Sequence, residues 1–297
     1  MAKKRAKRLI LFWLFSFLSI VIRILPLRFA LFVGKFLGKI SFYLLKKERD
    51  TALKNLDIAY GDSKSLEEKN ALIRKVFENL GKNLIEIVSL PKFNASNIDK
   101  YISCRGIEVI EDFLNKGKGG IALSAHFGNW ELMAHYFGIK GYSVNVVARR
   151  VRMEEFERFL VSIRKRNNVN VLYRDGSIKD ILALLKKNQF IGIMPDQDMD
   201  SVSGVFVDFF GKKAFTPNGP AILHSLIKSP IIPCFMIRKG FGHEICIDRE
   251  LRLASTDNKE KDILDNTAKY TKIIESYIRN NPEQWVWFHD RWKTRPD

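Results

Sequence analysis

His126 and Glu131 lie in the stretch GGIALSAHFGNWELMAHYF, residues 119–137, and combine a base and an acid five positions apart. On one continuous helix that spacing sets two side chains roughly 140° apart, too far to meet. The apolar run from Ile121 to Ala125 reads instead as a buried strand, and Asn129 as the N-cap of a helix that begins Trp130, Glu131, Leu132, Met133. His126 then falls in the turn and Glu131 in the first helical turn, where free N–H groups favour negative charge. An imidazole so placed can fold back on the carboxylate, take a proton from a hydroxyl and return it to a leaving group. Gly128 permits the tight turn. Ser124 raises the question of a nucleophile, but GIALSAH is not the G-x-S-x-G elbow, so transfer without a covalent enzyme intermediate is expected. No P-loop occurs, and Gly117 and Gly119 precede their strand instead of following it. His135, His224, His243 and His289 show no metal-ligand spacing and read as structural, so neither a metal nor a bound cofactor is expected.

The elements that must position this pair follow from the rest of the pattern. Short apolar runs at 144–148, 169–173, 190–194 and 231–237 alternate with helical stretches at 154–167, 177–187 and 219–228. That alternation implies βαβ units, and so an α/β fold with a mixed, largely parallel central sheet flanked by helices. Reactive groups in such sheets gather beyond the carboxyl ends of strands. His126, Arg149 and Asp196 each follow a predicted strand, which brings three segments to one edge. Asp196 also has the alternative of capping a helix or holding an arginine. Helical periodicity from Asp50 to Val88, broken at Gly61-Asp62-Ser63, supplies helices to cover the sheet.

With 297 residues and 46% hydrophobic content, the chain can bury a large core. Fifty Lys and Arg against 33 Asp and Glu give a net charge of +17, which calls for an anionic partner: nucleic acid, phospholipid or an acidic carrier protein. No basic-aromatic recognition motif appears, so nucleic acid is the disfavoured member of that set. Cys104, Cys234 and Cys246 are far apart and odd in number, as suits core cysteines in a reducing compartment. A basic cluster at Lys3, Lys4, Arg5, Lys7 and Arg8 precedes an apolar stretch from Leu9 to Leu25, and no cleavage site follows. This reads as a retained membrane-anchor helix with its basic flank in the cytoplasm. Arg28, Lys35, Lys39 and Lys46 then fall on one helical stripe beside Phe32, Val33, Phe36, Leu37, Ile40, Tyr43 and Leu44, the pattern of a helix lying in an anionic membrane surface, with a core helix bearing a solvated lysine face as the alternative. The expected division is residues 1–47 as anchor and interfacial helix and 48–297 as the catalytic domain.

Several motifs together resemble one family. Ser-Ala-His126-Phe-Gly-Asn-Trp-Glu131 is similar to the H-x-x-x-x-E/D motif of the bacterial lipid A biosynthesis acyltransferases, the lauroyl and myristoyl transferases. Val-Ala-Arg149, Pro195-Asp196-Gln197, Thr216-Pro217-Asn218-Gly219-Pro220-Ala221 and the C-terminal Pro282-Glu283-Gln284-Trp285 through Lys293 match further segments, with Asp290 where an arginine is usual. The resemblance implies a glycerolipid-acyltransferase-like fold. It also implies transfer of a fatty acyl chain from an acyl carrier protein thioester to a hydroxyl of a phosphorylated, anionic glycolipid, at the cytoplasmic face of the inner membrane. Relatives acting on other glycolipids or on lysophospholipids, with coenzyme A or a carrier protein as donor, make a different acceptor the alternative. Carried over, His126 is the general base and Glu131 its partner. Arg164 serves substrate charge or the oxyanion, and Arg149 and Asp196 serve substrate binding. Trp285, Trp287 and Trp292 read as packing, because their spacings do not share one helical face.

Overall fold

The computed structural model describes residues 2–117, 119–151, 153–173, 176, 178–199 and 201–296. Four helices lead the chain: α1 (Ala2–Ile24), α2 (Leu27–Leu44), α3 (Lys46–Tyr60) and α4 (Leu66–Val88). There follow β1 (Ile102–Arg105), α5 (Ile107–Asn115), β2 (Gly120–Leu123), α6 (Trp130–Ile139), β3 (Val144–Ala148), α7 (Glu154–Arg166), β4 (Val169–Tyr173), α8 (Ile178–Lys186) and β5 (Phe190–Ile193). The chain continues through β6 (Gly204–Phe209), β7 (Lys212–Pro217), α9 (Gly219–Ile227), β8 (Ile231–Lys239), β9 (Gly242–Ile247) and α10 (Lys259–Asn280).

Seven strands form one sheet in the order β1-β9-β8-β2-β5-β3-β4. Every neighbouring pair is parallel except the β8–β9 hairpin, so the sheet is mixed and largely parallel, as the alternation of apolar runs and helices implies. β6 and β7 pair antiparallel as a separate ribbon. Side chains alternate across the sheet with a period of two. Ile231 and Phe235 therefore face one side, against Leu56, Ile73, Tyr270, Ile274 and Trp285. Ile232, Cys234 and Met236 face the other, against Leu132, Met133, Tyr136 and Phe137 of α6. The cysteines are free, with Cys234 and Cys246 buried and Cys104 partly so.

α4 begins with a capping box in which Ser65 Oγ accepts from the Glu68 N–H and the Glu68 carboxylate accepts from the Ser65 N–H. α2 crosses α4 closely enough that a Cβ at Gly81 would lie 2.1 Å from the Gly34 carbonyl oxygen. Its Ala30, Leu31, Gly34, Gly38 and Phe42 are buried, whereas Phe29, Phe32, Phe36 and Tyr43 are exposed. Lys35 and Lys39 lie 3.8 and 3.9 Å from Glu78 of α4 and remain half exposed. Lys46 falls in α3, because the helix predicted to run to residue 47 ends at Leu44.

The expected membrane-crossing anchor is not supported. Among the described residues no helix is long and apolar enough to cross a membrane. The physical reason lies in α1 itself, whose apolar stretch carries Ser16 and Ser19 and stops at Arg23, well short of the roughly 20 residues a span requires. One side of α1 is also committed to the protein. The Phe12 and Phe15 rings pack on Phe156 and Phe159 of α7, with centroids 5.1–5.6 Å apart, and Arg23 Nε donates to the Val88 carbonyl at 2.7 Å. The opposite side leaves Ile10, Trp13, Leu14, Phe17, Ile20 and Ile24 exposed. The side chains of Lys3, Lys4, Arg5 and Lys7 lie outside the described residues.

Candidate active site

His126 sits in the bend between β2 and α6, and Glu131 is the second residue of α6. Asn129 caps that helix, its Oδ1 accepting from the Leu132 N–H at 3.2 Å. The bend is held by the C-terminal segment. Gly128 N–H donates to the Gln284 carbonyl at 2.8 Å, Val286 N–H donates to the His126 carbonyl at 3.1 Å, and Phe127 bridges Trp285 antiparallel. Gly128 has φ +60°, and a Cβ there would lie 1.8 Å from the Met236 carbonyl oxygen, so no other residue fits the turn.

The acid that meets His126 is Asp196, three residues beyond β5, which lies beside β2 in the sheet. Its Oδ1 is 2.9 Å from His126 Nδ1, and its Oδ2 accepts from the His126 N–H at 3.0 Å and from the Trp285 indole N–H at 2.8 Å. A carboxylate can only accept, so Nδ1 carries the proton and Nε2 keeps the free lone pair of a base. Burial disfavours the imidazolium, but the charge and hydrogen bond of Asp196, with a contribution from the Glu131 charge, outweigh it and raise the His126 pKa. Burial likewise raises Asp196, and the His126 charge with the three hydrogen bonds brings it below the usual carboxylate range.

This geometry corrects two expectations. Asp196 is fully buried and orients the histidine; it is not open for binding a substrate. Glu131 does not reach His126, because its carboxylate is taken by Arg164 of α7 in a two-pronged ion pair, with Arg164 Nε 3.1 Å from Oε2 and Nη2 on Oε1. Arg149 lies exposed just past β3 and makes no hydrogen bond or ion pair to His126, Glu131 or Asp196. Trp285 and Trp287 are packed edge to face in the core, as their pattern suggests, but Trp285 also fixes Asp196, a contact that spacing alone does not reveal.

An apolar cavity of about 150 Å³ lies against α6, walled by Ala122, Met133, Phe137, Val146, Phe190 and Ile193. Glu131, Arg164 and Trp130 also line it, and the Trp130 ring meets the His126 ring edge-on at 5.2 Å. Trp130 thus links His126 to the cavity. His135, one turn along α6 from Glu131, is held neutral, burial pulling its pKa down to about 4, and its Nδ1 is bonded to the Asn167 side chain at 2.9 Å.

The remaining motif residues brace the site. Buried Arg291 donates to the Phe215 carbonyl at 2.5 Å and to Thr216 Oγ1 at 2.6 Å, which ties the C-terminal segment to the Thr216-Pro217 strand end. Asp198 Oδ1 accepts from Thr294 Oγ1 at 2.9 Å. Asp290 is paired with Lys54 of α3 at 3.1 Å.

The bacterial lipid A biosynthesis acyltransferase family model matches residues 2–294. The chain is 27% identical over 275 residues to a lipid A biosynthesis palmitoleoyltransferase of Escherichia coli (strain K12), covering 92% of this chain and 87% of that protein. It is 28% identical over 270 residues to the lipid A biosynthesis lauroyltransferase of the same organism, covering 89% and 85% respectively. A lipid A biosynthesis acyltransferase of Haemophilus influenzae is 24% identical over 291 residues, 97% of this chain and 91% of that protein. The match along nearly the whole chain places it in the bacterial lipid A biosynthesis acyltransferase family, as an O-acyltransferase.

Proposed function

We propose that the protein moves a fatty acyl chain from an acyl carrier protein thioester to a hydroxyl of a lipid A precursor. The observation that carries this reading is the junction of His126, held by Asp196 at 2.9 Å, with the apolar cavity through Trp130. The acyl chain lies in the cavity with its thioester carbon toward His126. Nε2 takes the proton of the acceptor hydroxyl as its oxygen attacks the carbonyl carbon; the tetrahedral oxyanion collapses, the C–S bond breaks, and the proton passes from Nε2 to the departing sulfur. Glu131 stabilises the imidazolium by charge. Arg164, which pins Glu131 to the cavity wall, adds a positive charge for the oxyanion. Arg149, exposed beyond β3, serves the anionic groups of the carrier or the acceptor.

The reaction takes place at the cytoplasmic face of the inner membrane. Residues 1–47 form the membrane-facing segment and residues 48–297 the catalytic unit. The exposed apolar faces of α1 and α2 lie in the bilayer surface, with Arg28, Lys35 and Lys39 along their border at the headgroups.

Purified protein offered lipid A precursors, other glycolipids and lysophospholipids, each with acyl carrier protein or coenzyme A thioesters, tests the reading by mass spectrometry of the products. Acylated lipid A precursor from the carrier-protein thioester is the expected product. His126→Ala should lower the rate on the order of a hundredfold or more with the fold retained. Wild-type turnover by that variant, or a preference for lysophospholipid with coenzyme A, would sink the proposal.

A further inference from the structure

Beneath the His126 bend lies a second cluster of ionisable groups that the chemistry above does not use. Glu86, in the last turn of α4, is fully buried. Its carboxylate accepts from Arg238 Nη1 and Nη2 of β8 at 2.7 and 2.6 Å, from His243 Nε2 of β9 at 2.9 Å, from the Tyr101 hydroxyl at 2.5 Å and from Asn129 Nδ2 at 2.7 Å. Burial opposes its charge, yet His243 and Arg238 hold its pKa well below the carboxylate range. Arg238 Nη2 also donates to Asn83 Oδ1 at 2.6 Å, and Asn83 Nδ2 donates to the Gly128 carbonyl at 2.6 Å.

Buried ion pairs seldom stabilise a fold more than apolar packing of the same volume would, so their use is best sought in the geometry they impose. Here two arms of the network end on consecutive residues of the bend, the Gly128 carbonyl and the Asn129 amide. Asn129 is bound at both ends, its Oδ1 to the first turn of α6 and its Nδ2 to Glu86. Gly128 is separated from His126 by one residue, and it sits so close to β8 that a Cβ would lie 1.8 Å from the Met236 carbonyl oxygen. We infer that Glu86 is a positioning residue: with Arg238 and Asn83 it clamps the Gly128-Asn129 peptide and so sets the imidazole of His126 against Asp196 and the cavity. The inference rests on His126 being the base of the proposed reaction.

Asn129 offers a test that keeps the Glu86–Arg238 pair: Asn129→Ser leaves the buried charges as they are, and Asn129→Asp adds one. Ser and Asp are both good N-caps, so Asn129→Ser and Asn129→Asp preserve the cap of α6. Ser removes the donor to Glu86, and Asp sets a second carboxylate against it. Small misplacements of reacting groups cost up to about a hundredfold. The expected result is therefore a kcat about ten- to a hundredfold lower in Asn129→Ser and lower still in Asn129→Asp, with KM for the acyl thioester unchanged and the acid limb of the pH–rate profile displaced. If the Asn129 residue only caps the helix, both variants turn over at the wild-type rate with the wild-type pH profile, and the inference is overturned. Should either variant melt early, Asn83→Ser, which releases the Gly128 carbonyl and one bond of Arg238 Nη2 while leaving the Glu86–Arg238 pair in place, gives the same two outcomes. His126→Ala in parallel separates the readings: an active His126→Ala refutes the base, whereas an inactive one beside fully active Asn129 variants refutes only the clamp.

Discussion

Three donors close on the Asp196 carboxylate: the His126 ring, the His126 amide and the Trp285 indole. Its negative charge raises the His126 pKa, while burial works the other way. Because the base must be neutral to act, kcat/KM should fall as pH drops through that raised pKa. Asp196→Asn removes the raising charge and leaves the burial, so the acid limb should move to lower pH while the plateau drops on the order of a hundredfold. A limb that stays in place would mean that another group sets it. His126 and its bend are legible from the strand, the glycine and the Asn129 cap, all local in sequence. The partner is not, since Asp196 arrives from 70 residues away by the pairing of β2 with β5, whereas a reading along the chain favours the carboxylate five residues on. Glu131 turns to Arg164 because α7 presents a guanidinium that bonds both of its oxygens.

At the scale of elements, α2 and α4 meet backbone to backbone, and Gly81 marks the closest approach. Gly81→Ala would set a methyl group 2.1 Å from the Gly34 carbonyl oxygen, so the helices must separate. Overpacking of this kind costs about 1–3 kcal/mol, and the urea midpoint should fall accordingly; an unchanged midpoint would show that the crossing yields freely. The strands legible in the sequence are β2, β3, β4, β5 and β8, whose apolar runs are nearly continuous. β1, β6, β7 and β9 escape because they alternate with polar residues such as Ser103, Asp208, Lys213 and Glu244. A period-two pattern over four to six residues is too short to stand out. The Glu86 clamp is equally silent, since a lone glutamate in an amphipathic helix looks like part of a solvated face until β8 brings Arg238 to it.

Across the whole molecule, the net charge of +17 and the exposed apolar faces of α1 and α2 point the same way. On a helical wheel of about 100° per residue, Arg28, Lys35 and Lys39 fall within roughly 20° of one line. Phe32, Phe36, Ile40 and Tyr43 occupy the adjoining exposed sector, opposite the buried Ala30, Gly34 and Gly38. The same border reaches the β8–β9 hairpin, where the exposed ring of Phe241 lies 5.3 Å beneath the Arg28 guanidinium. A face of this form gains from apolar burial and from anionic headgroups together, so the two contributions can be separated in solution. Sedimentation with vesicles should show binding to a phosphatidylglycerol-containing bilayer that weakens with salt and is much weaker on pure phosphatidylcholine. Phe32→Asp with Phe36→Asp should abolish sedimentation at low salt while leaving acyl transfer to a detergent-dispersed acceptor intact, since neither residue touches the His126 site. Equal binding by the double variant would remove α2 from the membrane face, and loss of activity in detergent would assign the helix to the active site instead.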